Sequence, residues 1–230
     1  MRCSSTALRS LLSTLLLGAC ATGAGSTASI APFPGEAAVN ARVKELNEKA
    51  TIVGACLAGH SETGGGTFEI SADSSGKLSG RTVLWRGAPA TETCVLEAIK
   101  GASVSPLSGP PVSTLWTFQP TGAKAPPPPN LATLDEHEVA TIQARLGATE
   151  ISACAQRHLP PEFGADVAVG FFVFAGGRVA APNLASSTSS DGDFDFCVMR
   201  AVAGTTFPDP HYDGPFPLKL RWHVGKLDKM

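Results

Sequence analysis

Cys94-Val95-Leu96-Glu97-Ala98-Ile99-Lys100-Gly101 and Cys197-Val198-Met199-Arg200-Ala201-Val202-Ala203-Gly204 are two versions of one pattern, C-V-x-x-A-[IV]-x-G. Upstream of each, Gly54-Ala55-Cys56 and Ser152-Ala153-Cys154 stand 38 and 43 residues before the second cysteine. Downstream, Trp116 and Trp222 follow it by 22 and 25 residues. The same landmarks in the same order mark an internal duplication, and two copies are too few for a solenoid. Cys56, Cys94, Cys154 and Cys197 allow three pairings, among which spacing alone does not choose. The duplication does: each copy holds its own pair, Cys56–Cys94 and Cys154–Cys197. In the chain-entropy view, closing loops of this length contributes about 4 kcal/mol each, useful to units whose cores are small. A metal site is the competing use of four cysteines, but neither C-x-x-C nor H-x-x-x-H spacing occurs.

Within the first copy, Val39, Val43, Leu46, Ala50, Val53 and Leu57 recur at steps of three and four, the inner stripe of an amphipathic helix. The second copy has a comparable region from Leu134 through His158, with Ile142, Leu146, Ile151 and Cys154 inward, Gly147 as a candidate break and Pro160-Pro161 as its stop. Val167 to Phe174 carries no polar side chain, which predicts a strand covered on both faces. Ala175-Gly176-Gly177-Arg178 reads as its turn and Val179–Asn183 as the return strand. In the first copy these are Thr67–Ala72, Asp73–Gly76 and Leu78–Trp85. A second helix carries each C-V-x-x-A pattern, with Asp191 or Asp193 capping one and Thr91 the other. Last come strands over Thr114–Phe118 and Leu218–Val224. In the latter, Leu218, Leu220, Trp222 and Val224 alternate with Lys219, Arg221 and His223, so one face is dry and the other wet. The expected fold is α+β: two tandem α-β-β-α-β modules, each with helices on one face of a small antiparallel sheet.

The chain has 230 residues, of which 43% are hydrophobic and 17% charged, suiting globular structure. Its 24 glycines and 18 prolines predict many turns and at least one linker. Four prolines at 126–129 mark that linker, over 121–133, between a first module at 36–120 and a second at 134–225. Residues 1–19 have a signal-peptide layout: Arg2 and Arg9, then a short apolar run from Leu11 to Leu17. Leu17-Gly18-Ala19-Cys20 resembles the lipobox of bacterial lipoproteins. The resemblance implies that Cys20 is acylated and becomes the N-terminus, with 20–35 as a flexible tether and the membrane engaged through the lipid anchor only. Several acyl chains make such an anchor stable, where one would be marginal. Ala21, in place of the Asp that resembles an inner-membrane retention signal, points to the outer membrane. Removing 1–19 takes away two basic residues and no acidic one, leaving 16 basic against 20 acidic, a net of −4. Such a chain has no basic surplus for nucleic acid.

Gly177-Arg178-Val179, the serines at 186–190, the helix from Cys197 to Gly204, Phe207-Pro208-Asp209-Pro210 and the strand Leu218–Trp222 together resemble the C-terminal domain of the TonB energy transducer. The cysteine pair makes the match closer to the variant in the adventurous-gliding-motility proteins of myxobacteria. The resemblance covers about 134–224 and reaches 36–120 only through the duplication, with Val104-Ser105-Pro106 where the F-P-x-P element belongs. It implies a periplasmic interaction domain that takes up an envelope protein or extended peptide by strand addition, without cofactor or catalysis. A lipid anchor in place of an inner-membrane helix, and no motor-coupling segment, leave only the interaction fold to carry over.

Lys219, Arg221 and His223 form a cationic stripe on the wet face of the last strand. They are a candidate binding edge for an acidic peptide or polysaccharide, against the plainer role of guarding an edge strand from aggregation. Asp135-Glu136-His137-Glu138 reads as the acidic first turn of a helix, and Asp191-Gly192-Asp193-Phe194-Asp195 as a capping segment lacking the glycine and distal Glu of a calcium loop. No G-x-S-x-G elbow or phosphate loop is present. The alternative function is a metal-dependent envelope hydrolase, for which His137, His158 and Asp166 are the candidates.

Overall fold

The apolar stripe from Val39 to Leu57 winds into a helix of three pieces: α1 (Glu36–Glu48), a 3-10 turn (Lys49–Val53) and α2 (Gly54–Ala58). The computed structural model describes residues 29–58, 65–118, 134–212 and 214–225. The first module continues with β1 (Gly66–Ala72), β2 (Leu78–Trp85), α3 (Pro89–Lys100) and β3 (Val112–Phe118). The second repeats the order: α4 (Glu136–Leu146), a π turn (Gly147–Ile151), α5 (Ser152–His158), β4 (Ala165–Phe174), β5 (Arg178–Ser187), α6 (Gly192–Ala203) and β6 (Phe216–Val224). The helix divides into two pieces at Gly147, which opens the π turn between them. The return strand runs to Ser187, four residues beyond its expected end.

Each sheet has three antiparallel strands with the hairpin's first strand in the middle, β2-β1-β3 and β5-β4-β6. Helices cover one face of each. Phe68, Ile70 and Ala72 of β1 meet Leu46, Val53, Val95 and Ile99. Val167, Val169, Phe171 and Val173 of β4 meet Leu146, Ile151, Phe194, Val198 and Val202. Both bridges form as the duplication requires, Cys56–Cys94 and Cys154–Cys197. Phe207 N–H donates to the Gly177 carbonyl and Val104 N–H to that of Gly76, both at 2.9 Å. Val104 thus does in the first copy what the Phe of F-P-x-P does in the second.

Asp191 caps α6, its carboxylate accepting from the amides of Asp193 and Phe194. Thr91 does not cap α3. Pro89 sits in the first turn, Ala88 is the cap residue, and Thr91 is buried inside the helix with its hydroxyl unpartnered. Proline at the first helical position lacks the N–H that a cap side chain would satisfy, so the helix starts earlier without one.

The two modules are packed together through the sheet faces that their helices leave bare. β5 runs across the first sheet, meeting its strands in turn. Arg81 of β2 donates to the Val179 carbonyl, and Arg178 to that of Val83. The Ala181 amide donates to Glu69 of β1 at 2.8 Å. Asn183 then pairs with Ser113 of β3, its side-chain oxygen accepting from the amide at 2.7 Å and its nitrogen donating to the carbonyl at 2.6 Å. Val83, Phe174 and Ala180 form a small core between the sheets, with Leu115 and Phe172 at its margin. The end of the apolar run is covered on both faces, by its own helices on one and, at Phe172 and Phe174, by the first module on the other.

Residues 29–35, expected to be part of a flexible tether, are laid against the second module. Ser29 Oγ and the Ile30 amide both donate to Asp193, at 2.7 and 3.2 Å. A Cβ on Gly192 would collide with the carbonyl oxygens of Ile30 and Ala31, so this close approach requires glycine. Phe33 packs against both module cores. A segment that precedes the first module in sequence thus ties it to the second. Cys20 and the proline run at 126–129 lie outside the described residues.

Candidate interaction surface on the last strand

Register alone aligns the two sheets. Trp116 stands opposite Phe68 on β1, and Trp222 opposite Val167 on β4. Phe68 in turn pairs with Thr82, and Val167 with Ser187. These equivalences hold in chemistry. Thr82 donates to Glu92, and Ser187 to Asp195, both at 2.6 Å; each acid stands two residues before the second cysteine of its copy. The buried carboxylate at the start of α6 is therefore a structural tie from strand to helix. Asp195 is fully buried, one oxygen has no partner, and burial pushes its pKa up to about 6 against the lowering effect of Ser187 and the Phe33 amide.

On the same alignment, Lys219, Arg221 and His223 occupy the places of Ser113, Leu115 and Thr117. In the first module that face is in use: Ser113 is bound by Asn183, and Leu115 packs at the inter-sheet core. In the second module all three side chains are exposed. His223 Nδ1 lies 3.0 Å from Asp166, while Lys219 and Arg221 form no ion pair among the described residues. Gly170, opposite Lys219, leaves the neighbouring surface low. β6 is an edge strand. Its edge is partly guarded: Gln143 donates to the Arg221 carbonyl at 2.7 Å, and Pro217 offers no N–H. Trp222 holds α4 against this strand by donating its indole N–H to the Gln143 carbonyl at 2.9 Å.

The candidate metal residues are not assembled. Asp166 is engaged with His223, and His137 lies in the first turn of α4. His158 ends α5 beside a groove of about 520 Å³ between α5 and α6, which Arg157, Arg200 and the second disulfide also line. No three His, Cys, Asp or Glu side chains converge among the described residues, and no described helix is long and apolar enough to cross a membrane. The role of Asn183 in joining the modules had no signature in its own copy, because its partner is in the other one. Glu69 did leave one, as the single charge in an otherwise uncharged strand.

Comparison of the chain with protein-family models, with curated proteins and with solved structures gave no match.

Proposed function

We propose that the protein is a non-enzymatic, lipid-anchored component of the bacterial envelope, held through Cys20, whose two TonB-like modules serve protein interaction. The binding surface is the β6 edge of the second module, and the ligand is an extended acidic peptide added along it, with Lys219 and Arg221 meeting its carboxylates. One observation carries this reading. The strand face that the first module uses to hold β5 is, at the equivalent positions of the second, open and cationic. The N-terminal lipobox resemblance supplies the envelope location, and the paired cysteines fit an oxidising compartment.

Affinity capture from envelope extracts tests it, comparing the wild-type protein with the double variant Lys219→Glu/Arg221→Glu. The wild type should retain a protein partner that is lost from the variant and weakened by salt, as an exposed charge contact must be. Equal capture by both proteins, or no partner at any salt concentration, would refute the proposal.

A further inference from the structure

We propose that the loop around Phe163 is a membrane-contact site that rests on the bilayer when the chain is anchored. This rests on the reading of Cys20 as the acylated residue. Phe163 is the one large apolar side chain exposed among the described residues, at 59%. A lone exposed aromatic is unremarkable on most surfaces. Its position here gives it meaning. Ser29, the first described residue, lines the same groove as Phe163, of about 570 Å³, together with Leu159 and Pro160. Ser29 and Ile30 are fastened to Asp193, which fixes the position of residue 29 on this module. Only nine residue steps separate Cys20 from Ser29, a reach of at most about 30 Å even when fully extended. The anchor therefore keeps this end of the second module near the lipid surface.

The loop suits that place. Pro160 and Pro161 bring no amide N–H to the surface, and the Phe163 amide is satisfied by the Pro160 carbonyl at 3.0 Å. The Phe163 ring can therefore enter the headgroup region without carrying an unpaired amide of its own. The fringe carries both signs, with Arg157 before the loop, Glu162 within it and Asp191 on the groove. β6 ends beside the loop, where Gly225 abuts Gly164. Arg157 and His158 lie just before it. Neither the chain as a whole nor the loop has a basic surplus, so the contact is an apolar insertion secondary to the acyl anchor.

The test uses protein extracted from membranes, with the mass of its N-terminal peptide read first, then reconstituted into phosphatidylethanolamine/phosphatidylglycerol vesicles. An environment-sensitive fluorophore on Phe163→Cys should shift to the blue and be quenched by spin-labelled lipid, whereas one on Lys100→Cys, in the other module, should not. In the unsubstituted protein, amide exchange over 158–164 should slow on vesicles relative to the acyl-free chain in solution, a measurement that stands even if the labelled variant misfolds. An acylated Cys20 with neither quenching nor slowed exchange overturns the membrane contact and leaves the anchor intact. A blue shift without lipid quenching means that a protein, such as a second copy, covers the loop, and overturns it too. An unmodified Cys20 removes the anchor, and the inference with it.

Discussion

Replacing Asp195 with Asn should stabilise the protein at neutral pH and remove a specific part of its pH dependence. The carboxyl is fully buried beneath the first turn of α6, with one oxygen accepting from Ser187 and the other unpartnered. Its pKa is raised from 3.8 to about 6 by burial. A folded-state pKa above the unfolded value means that the native state holds the proton more tightly. The favourable contribution is full below about pH 3.8, is lost as pH rises towards 6, and stays lost above it. The gap corresponds to about 3 kcal/mol, at 1.36 kcal/mol per pH unit. Asn stays neutral throughout and keeps the acceptor for Ser187. Its NH2 group, placed where the unpartnered oxygen was, costs about 1 kcal/mol. The net gain at pH 7 is about 2 kcal/mol, or about 4–8 °C in Tm for a chain of this size. Urea denaturation of both proteins from pH 3 to 8 isolates the effect, since every other titrating group is common to them. A stability difference between variant and wild type that does not grow between pH 4 and 6, or a variant less stable at pH 7, would refute the assignment.

Other consequences concern the joint between the modules. Asn183→Ala leaves the Ser113 amide and carbonyl unpaired at a half-buried site and should cost about 2 kcal/mol, read as a lower urea midpoint. Ala181 holds a left-handed backbone, φ 48°, while buried at the crossing of the sheets, so Ala181→Gly should gain about 1 kcal/mol in the same assay. Gly192→Ala should push residues 29–33 off α6 without unfolding the helix, which limited proteolysis would reveal as faster cleavage in that segment.

The internal order of each module was legible because its signals are local or repeated. The helix stripes, the hairpin glycines at 176 and 177 and the copied cysteine pattern all survive into the structure. The cap of α3 was not, since Thr91 and Pro89 are both plausible starts and only the burial of Thr91 decides between them. The docking of the modules was half legible. Val167–Phe174 announced cover on both faces, but nothing in it said that the second cover would be the other copy. The 29–35 strap was hidden for a different reason. Small residues and prolines suit a tether, and they equally suit a segment that must pass within contact distance of another backbone at Gly192.

The difference between the last strands explains why the duplicated units form an unequal pair. A symmetric pairing would place each module's last strand against the other's return strand. Among the described residues, β3 packs closely on β5, and no comparable contact joins β6 to β2. Ser113 offers its backbone to Asn183, and Leu115 joins an apolar patch. At the equivalent places, Lys219 and Arg221 would have to give up their hydration with no carboxylate of the first module brought to meet them, a cost that an exposed position avoids. The substitution of charge for small and apolar side chains on β6 therefore selects the asymmetric arrangement and leaves the second copy of the contact surface unfilled. If that is the cause, Lys219→Ser/Arg221→Leu, which copies the first module's face onto the second, should create a self-complementary patch. Sedimentation should then show stronger concentration-dependent dimerisation in the variant than in the wild type. A variant that self-associates no more than the wild type would mean that charge on β6 is not what keeps this surface open.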